Sequence, residues 1–214
     1  MRSWASDTLL GGTRRGTLLR VGLALALLAA VLWAVPSRRD DEGAGHHGGH
    51  APALDPFERA GVTELTEGQR GPGLRLARFP DGAVVSLEAY ADKLVVLNFW
   101  ATWCTPCTIE MPTLEALWRQ YEGRGLVVIG VSVDRDAPRT VLEPYIRNHE
   151  LTFPILLDPD SRAARAWRVT GIPATFLVRP DGEVAGMATG AREWNSTEML
   201  ALIETLLPHK MLVP

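Results

Sequence analysis

Two stretches of this chain, Leu94 to Trp100 (LVVLNFW) and Leu126 to Val133 (LVVIGVSV), are apolar almost from end to end. A strand with one wet face alternates apolar and polar residues. A run without alternation has to be buried on both faces, as at the centre of a sheet with helices above and below. Between the two runs, Ile109, Leu114, Leu117 and Trp118 recur at helical spacing as far as Tyr121. Pro112 lies inside that pattern and predicts a kink.

The rest of the chain is read around that centre. Leu74–Phe79 alternates, Pro80-Asp81-Gly82 turns, and Ala83–Leu87 resumes, which predicts a β-hairpin. Ser86 opens a short helical turn to Tyr90. Pro138 opens a helix to about His149, Pro154–Leu157 is a short strand, and Ser161–Trp167 a helix capped by Ser161 or Asp160. Val169–Pro173 breaks the pattern. Ala174–Val178 and Glu183–Ala188 form a second hairpin about Pro180-Asp181-Gly182, and Asn195–Leu207 is an amphipathic helix. This order predicts an α/β fold with a mixed central sheet and helices on both faces.

Only two cysteines occur, Cys104 and Cys107, in NFWATWCTPCT between the first buried strand and the helix. A cysteine at a helix start lies at the positive end of the helix dipole, which stabilises the thiolate, the form that attacks disulfides. The same spacing serves zinc and haem sites. No His follows Cys107, no second C-x-x-C exists, and His149 and His209 are distant in sequence, so neither site is supported. Net charge is −3, which offers nothing to attract nucleic acid.

The N-terminus has a different character. Residues 1–17 form a basic leader with Arg2, Arg14 and Arg15, and residues 18–35 are apolar apart from Arg20 and Gly22. That length is near the lower limit of the roughly 17–25 residues that span a bilayer. The positive excess on the N-terminal side predicts a single-pass anchor with a cytoplasmic N-terminus. A cleaved signal peptide is the alternative, although the run begins late for one and Leu32-Trp33-Ala34 is a poor cleavage site. Both readings export the remainder. Residues 36–72 read as a flexible tether, with a faint helical signal at Pro56–Leu65 and with His46, His47 and His50 as either a weak metal cluster or plain spacer, and residues 73–214 as the globular domain.

NFWATWCTPCTIEMP together with GIPATFLV resembles the thioredoxin superfamily, and most of all its membrane-anchored TlpA/ResA/CcmG branch, over about Gly73–Leu207. The shared motifs are WCxPC, Pro112 five residues after Cys107, and Gly171-Ile172-Pro173 ahead of an apolar strand. The resemblance implies a thioredoxin fold with a helix–strand insertion at Asp136–Leu157 and a cis peptide before Pro173. It implies a redox disulfide between Cys104, the nucleophile, and Cys107, the resolving thiol, with no further cofactor and no metal. Ile172 and Pro173 would present backbone to a client chain, Trp103 would form an apolar rim or simply pack on the helix, and Thr105 and Pro106 would tune the redox poise. Glu110, on the face of Cys107, would manage protons, or else be a surface carboxylate favoured by the helix dipole. Asn98 stands where thioredoxins carry a buried aspartate, which leaves Glu110 the nearest proton-transfer candidate.

The function implied is protein-disulfide reduction at the bacterial inner membrane, on the periplasmic or extracytoplasmic side. Clients would be proteins such as apocytochrome c or copper-site assembly proteins, with electrons from a membrane reductase of CcdA/DsbD type. A disulfide-forming oxidant and a Cu(I) chaperone are the alternatives. Thr105-Pro106 differs from the C-P-H-C of general oxidants, and C-x-x-C differs from the C-x-x-x-C of thioredoxin-like copper carriers.

Overall fold

A computed structural model describes residues 54–135 and 138–208. In chain order the elements are α1 (Pro56–Arg59), β1 (Thr63–Glu64), β2 (Arg75–Phe79), β3 (Val84–Ser86), a 3-10 turn (Leu87–Tyr90) and β4 (Leu94–Trp100). There follow α2 (Thr105–Tyr121), β5 (Leu126–Ser132), α3 (Pro138–Asn148), β6 (Ile155–Leu157), α4 (Arg162–Ala166), β7 (Ala174–Val178), β8 (Val184–Thr189) and α5 (Thr197–Leu206). The strands form one mixed sheet in the order β1-β8-β7-β4-β5-β6-β2-β3. This is the thioredoxin-like α/β arrangement.

The two apolar runs are central strands. β4 and β5 pair in parallel, and every residue of both is buried. Alternation along β4 divides its side chains between two cores. Leu94, Val96 and Trp100 pack on one face with Met111, Leu114 and Leu117 of α2 and Met199, Leu202 and Ile203 of α5. Val95, Leu97 and Phe99 pack on the other, with Trp167 and Phe176. Asn98 falls on the α2 face, the one polar residue of β4, and pairs in register with Gly130 of β5 and Thr175 of β7. The insertion supplies α3 and β6, and β6 joins the sheet between β5 and β2.

Three expectations are corrected. The helix after the cysteines begins at Thr105, because Cys104 caps it and Pro106 sits in its first turn, where a missing N–H costs nothing. Pro112 lies inside the helix, which runs through to Tyr121 as expected. Neither Ser161 nor Asp160 caps α4. Ser161 is left-handed at φ 53° and makes no cap, and Asp158 accepts from the Ala163 and Ala164 N–H groups at 3.1 and 2.8 Å. Order also begins before residue 73: α1 and β1 belong to the fold, within what reads as tether.

That early segment is held by packing. Phe57 and Val62 are buried, and β1 adds to the sheet edge through Met187 and Gly186 of β8. Gly186 makes the approach possible, since a Cβ there would lie 2.8 Å from Val62 and 2.9 Å from Phe57. The expected anchor, the three histidines at 46, 47 and 50, and residues 36–53 of the expected tether lie outside the described residues. Among the described residues no helix is long and apolar enough to cross a membrane. Removing the Phe57 ring should leave a cavity over β8. Phe57→Ala is expected to lower stability by about 3 kcal/mol in denaturant unfolding, and an unchanged midpoint would show that the segment is not part of the cooperative fold.

Candidate active site

The β4–α2 turn carries the two sulfurs. Cys104 has extended backbone and caps α2, and its Sγ accepts the Cys107 N–H at 3.3 Å. A disulfide joins the two cysteines. Cys104 is 5% exposed and Cys107 fully buried, so an incoming group meets Cys104 first. The turn itself is pinned from β5. The Asp134 carboxylate accepts from the Thr102 N–H at 3.1 Å, the Thr102 hydroxyl at 2.7 Å and the Ser132 hydroxyl at 2.8 Å.

Residues distant in sequence complete the surroundings. The Ile172–Pro173 peptide is cis, and the Ile172 carbonyl oxygen lies 3.8 Å from Cys104 Sγ. Pro173 is buried and Ile172 half-buried, while Trp103 is 69% exposed and Thr105 and Pro106 are exposed on the first turn of α2. A cleft of about 500 Å³ opens beside this turn, with Trp103 and Val141 among its walls and Asp134 and Arg135 in its lining. The structure thus gathers Trp103, Thr105, Pro106, Ile172 and Pro173 around Cys104.

Glu110 is not a surface carboxylate. It is 1% exposed, beneath α2. Its Oε1 accepts from Asn98 Nδ2 at 2.7 Å, and its Oε2 from Trp194 Nε1 at 3.1 Å and the Arg192 N–H at 3.2 Å. Asn98 Nδ2 also donates to Thr175 Oγ1 at 2.9 Å. Thr113, one turn on, ties the same loop to α2, accepting the Trp194 N–H at 3.1 Å. Burial disfavours the charged carboxylate and drives the Glu110 carboxyl above its ordinary value; the donors from Trp194, Asn98 and Arg192 pull it back without cancelling the effect. Asn98 Oδ1 is buried with no hydrogen-bond partner among the described residues.

Several of these residues carry no signal in the sequence. Thr175 is visible only as a polar residue in the apolar ATFLV run, two places after Pro173. Arg192, Trp194 and Thr113 belong to no motif, and the loop meets α2 only through tertiary folding. Tyr145 of α3 donates its hydroxyl to Thr108 Oγ1 at 3.1 Å and packs on Trp100 at 5.0 Å, which places the insertion directly behind the cysteine turn. Among the described residues no cluster of three or more His, Cys, Asp or Glu gathers as a metal site.

Comparison with known proteins agrees with this geometry. The AhpC/TSA family model matches residues 68–187. The thiol-disulfide oxidoreductase ResA of Oceanobacillus iheyensis is 30% identical over 178 residues, which cover 83% of each chain. The Bacillus subtilis protein of the same name is 30% identical over 131 residues, covering 61% of this chain and 72% of that one. Among solved structures, a putative thiol:disulfide interchange protein DsbE from Chlorobium tepidum superposes with TM-score 0.61 at 26% identity, over 67% of this chain and 99% of that one.

The raised Glu110 carboxyl has a consequence for stability. A group that binds its proton more tightly folded than unfolded stabilises the fold below its unfolded value, and that contribution is lost as pH rises through the folded value. Glu110→Gln removes the titration. Relative to wild type, the variant should therefore gain stability as pH is raised from below 4.5, the ordinary carboxyl value, through neutrality. A stability difference that stays flat across that range in chemical denaturation would mean Glu110 titrates normally.

Proposed function

From the premise that the chain belongs to the AhpC/TSA family and is a thiol–disulfide oxidoreductase of the ResA/CcmG-like kind, we propose that it is a membrane-tethered reductant of client protein disulfides outside the cytoplasm. The redox group is the Cys104–Cys107 pair itself, with no separate cofactor.

In the reduced protein the Cys104 thiolate, favoured by the N-terminus of α2, attacks one sulfur of the client disulfide. That bond breaks, the client's other sulfur leaves as thiolate, and a mixed disulfide remains on Cys104. Cys107 gives up its proton, attacks Cys104 Sγ and expels the client's second sulfur. Two electrons have then passed to the client, which departs with two thiols, and the Cys104–Cys107 disulfide is closed. The client strand would lie along the Ile172 backbone, between Pro173 and the exposed Trp103, Thr105 and Pro106.

The observation that carries this reading is the buried Glu110 carboxyl on the same face of α2 as Cys107. A fully buried thiol has no water to take its proton, and a nearby carboxyl of raised proton affinity is suited to exchange one with it. The setting rests on residues 18–35, whose apolar run and basic leader favour a single-pass anchor in a bacterial inner membrane with a cytoplasmic N-terminus. In an oxidising compartment a lone C-x-x-C is oxidised by default, so a reductant there needs a dedicated electron donor, of the CcdA/DsbD type. Apocytochrome c and copper-site assembly proteins, whose cysteine pairs must be kept reduced, are the client classes.

Trapping tests the reaction. Full-length Cys107→Ser should accumulate mixed disulfides through Cys104 that dithiothreitol releases, and Cys104→Ser should form none. Absence of adducts, or equal trapping by Cys104→Ser, would reverse the assignment. Thiol labelling of the wild-type protein in cells should find the pair mostly reduced, whereas a mostly oxidised pair would favour a disulfide-forming role.

A further inference from the structure

Arg192 lies outside every motif, yet its main chain and side chain act on one point. Its backbone N–H donates to Glu110 Oε2 at 3.2 Å. Its guanidinium donates through Nε to the Gly61 carbonyl at 3.2 Å and through Nη1 to the carbonyls of Ala191 at 3.0 Å and Gly190 at 3.5 Å. Gly61 and Gly190 both have left-handed backbone, at φ 65° and 78°, a conformation open to glycine and costly for other residues. Two glycine turns, one from the N-terminal segment and one from the end of β8, are thus joined by one planar fork.

The loop held in this way touches both groups beside the disulfide. The Gly190 N–H donates to the Pro173 carbonyl at 2.9 Å. Two and four positions further on, the Arg192 N–H and the Trp194 indole hold Glu110 Oε2. A loop free to move would carry these donors away from the carboxyl. Thr113 holds the loop from the α2 side, and the guanidinium contact with Gly61 holds it from the other. The Gly61 contact also makes the segment Pro56–Glu64, which lies within the expected tether, part of the support of the active site.

We infer that Arg192 is a positioning residue for disulfide exchange, its guanidinium clamping the 190–194 loop to Gly61 so that the loop's N–H groups stay on Glu110. The inference rests on Glu110 as the proton-exchanging group. The titratable groups acting on Glu110 are Arg192 from this loop and Tyr145 from α3, and Cys107 is buried on the same face of α2. Tyr145, raised by burial, stays neutral through the neutral range. Asn98, Thr175 and Trp194 do not titrate there, so charge changes in this cluster belong to Glu110 and the cysteines.

The test is the pH profile of oxidised-glutathione reduction by the reduced full-length chain, for wild type, Arg192→Ala, Glu110→Gln and the double variant. Loss of a hydrogen bond to a carboxylate weakens the ionised form, so Arg192→Ala should raise the Glu110-dependent midpoint by about one pH unit. In the Glu110→Gln background the same substitution should leave the profile where it was. An unmoved midpoint in Arg192→Ala overturns the inference, and so does an equal shift with and without Glu110, since Arg192 would then act on the sulfurs directly. A Glu110→Gln profile identical to wild type overturns the reading of Glu110 instead. Should Arg192→Ala not fold, Arg192→Gln, which keeps the stem and loses the charged fork, carries the same expectations.

Discussion

Holding a carboxyl group out of water beneath a reactive helix is costly, and much of this domain is arranged to bear that cost. An ionised carboxylate without water loses several kcal/mol of solvation, to roughly the extent known for buried ions generally. At Glu110 the loss is offset by three donors from two distant parts of the chain: Asn98 in β4, and the Arg192 backbone and Trp194 indole of one loop. The offset is incomplete, so the group keeps an elevated affinity for a proton. A partly satisfied carboxyl suits exchange better than a fully paired one. Complete pairing would fix the charge, and no pairing would fix the proton.

Sheet order explains how the donors converge. β7 lies antiparallel beside β4, which sets Thr175 opposite Asn98 and brings the Pro173 turn, just ahead of β7, to the cysteine end of the sheet. β8 returns alongside β7 and delivers its following loop to the side of α2, where Thr113 and Glu110 receive it. The central strand therefore carries an amide in an otherwise apolar run, on the face that α2 covers. Two cores, one on each side of the sheet, make that position rigid.

Much of this was legible in the residues. The unalternating runs identified β4 and β5 and their burial, the two hairpins followed from their Pro-Asp-Gly turns, and the cysteine motif located the reactive turn. Asn98 announced itself as the polar exception in β4. Other features were hidden because long-range contacts decide them. Residues 54–64 show little beyond a faint helical signal, and the burial of Phe57 and Val62 depends on a groove opened by Gly186 more than a hundred residues later. The cap of α4 comes from Asp158, outside the usual position, because Ser161 is turned left-handed. Glu110 could be read as exposed or buried from its helix position alone. Trp194 and the Arg192 backbone settle that question, and nothing in their local sequence connects them to a disulfide.

The account stands on the protonation behaviour of one side chain. It is measured most directly by following the Glu110 carboxyl carbon by NMR in selectively labelled protein, titrated in both the disulfide and the dithiol form. The account predicts a single glutamate resonance, abolished by Glu110→Gln, that titrates above the ordinary carboxyl range and whose midpoint changes when the disulfide is reduced. A Glu110 resonance that titrates at the ordinary value, and identically in both redox forms, would contradict it.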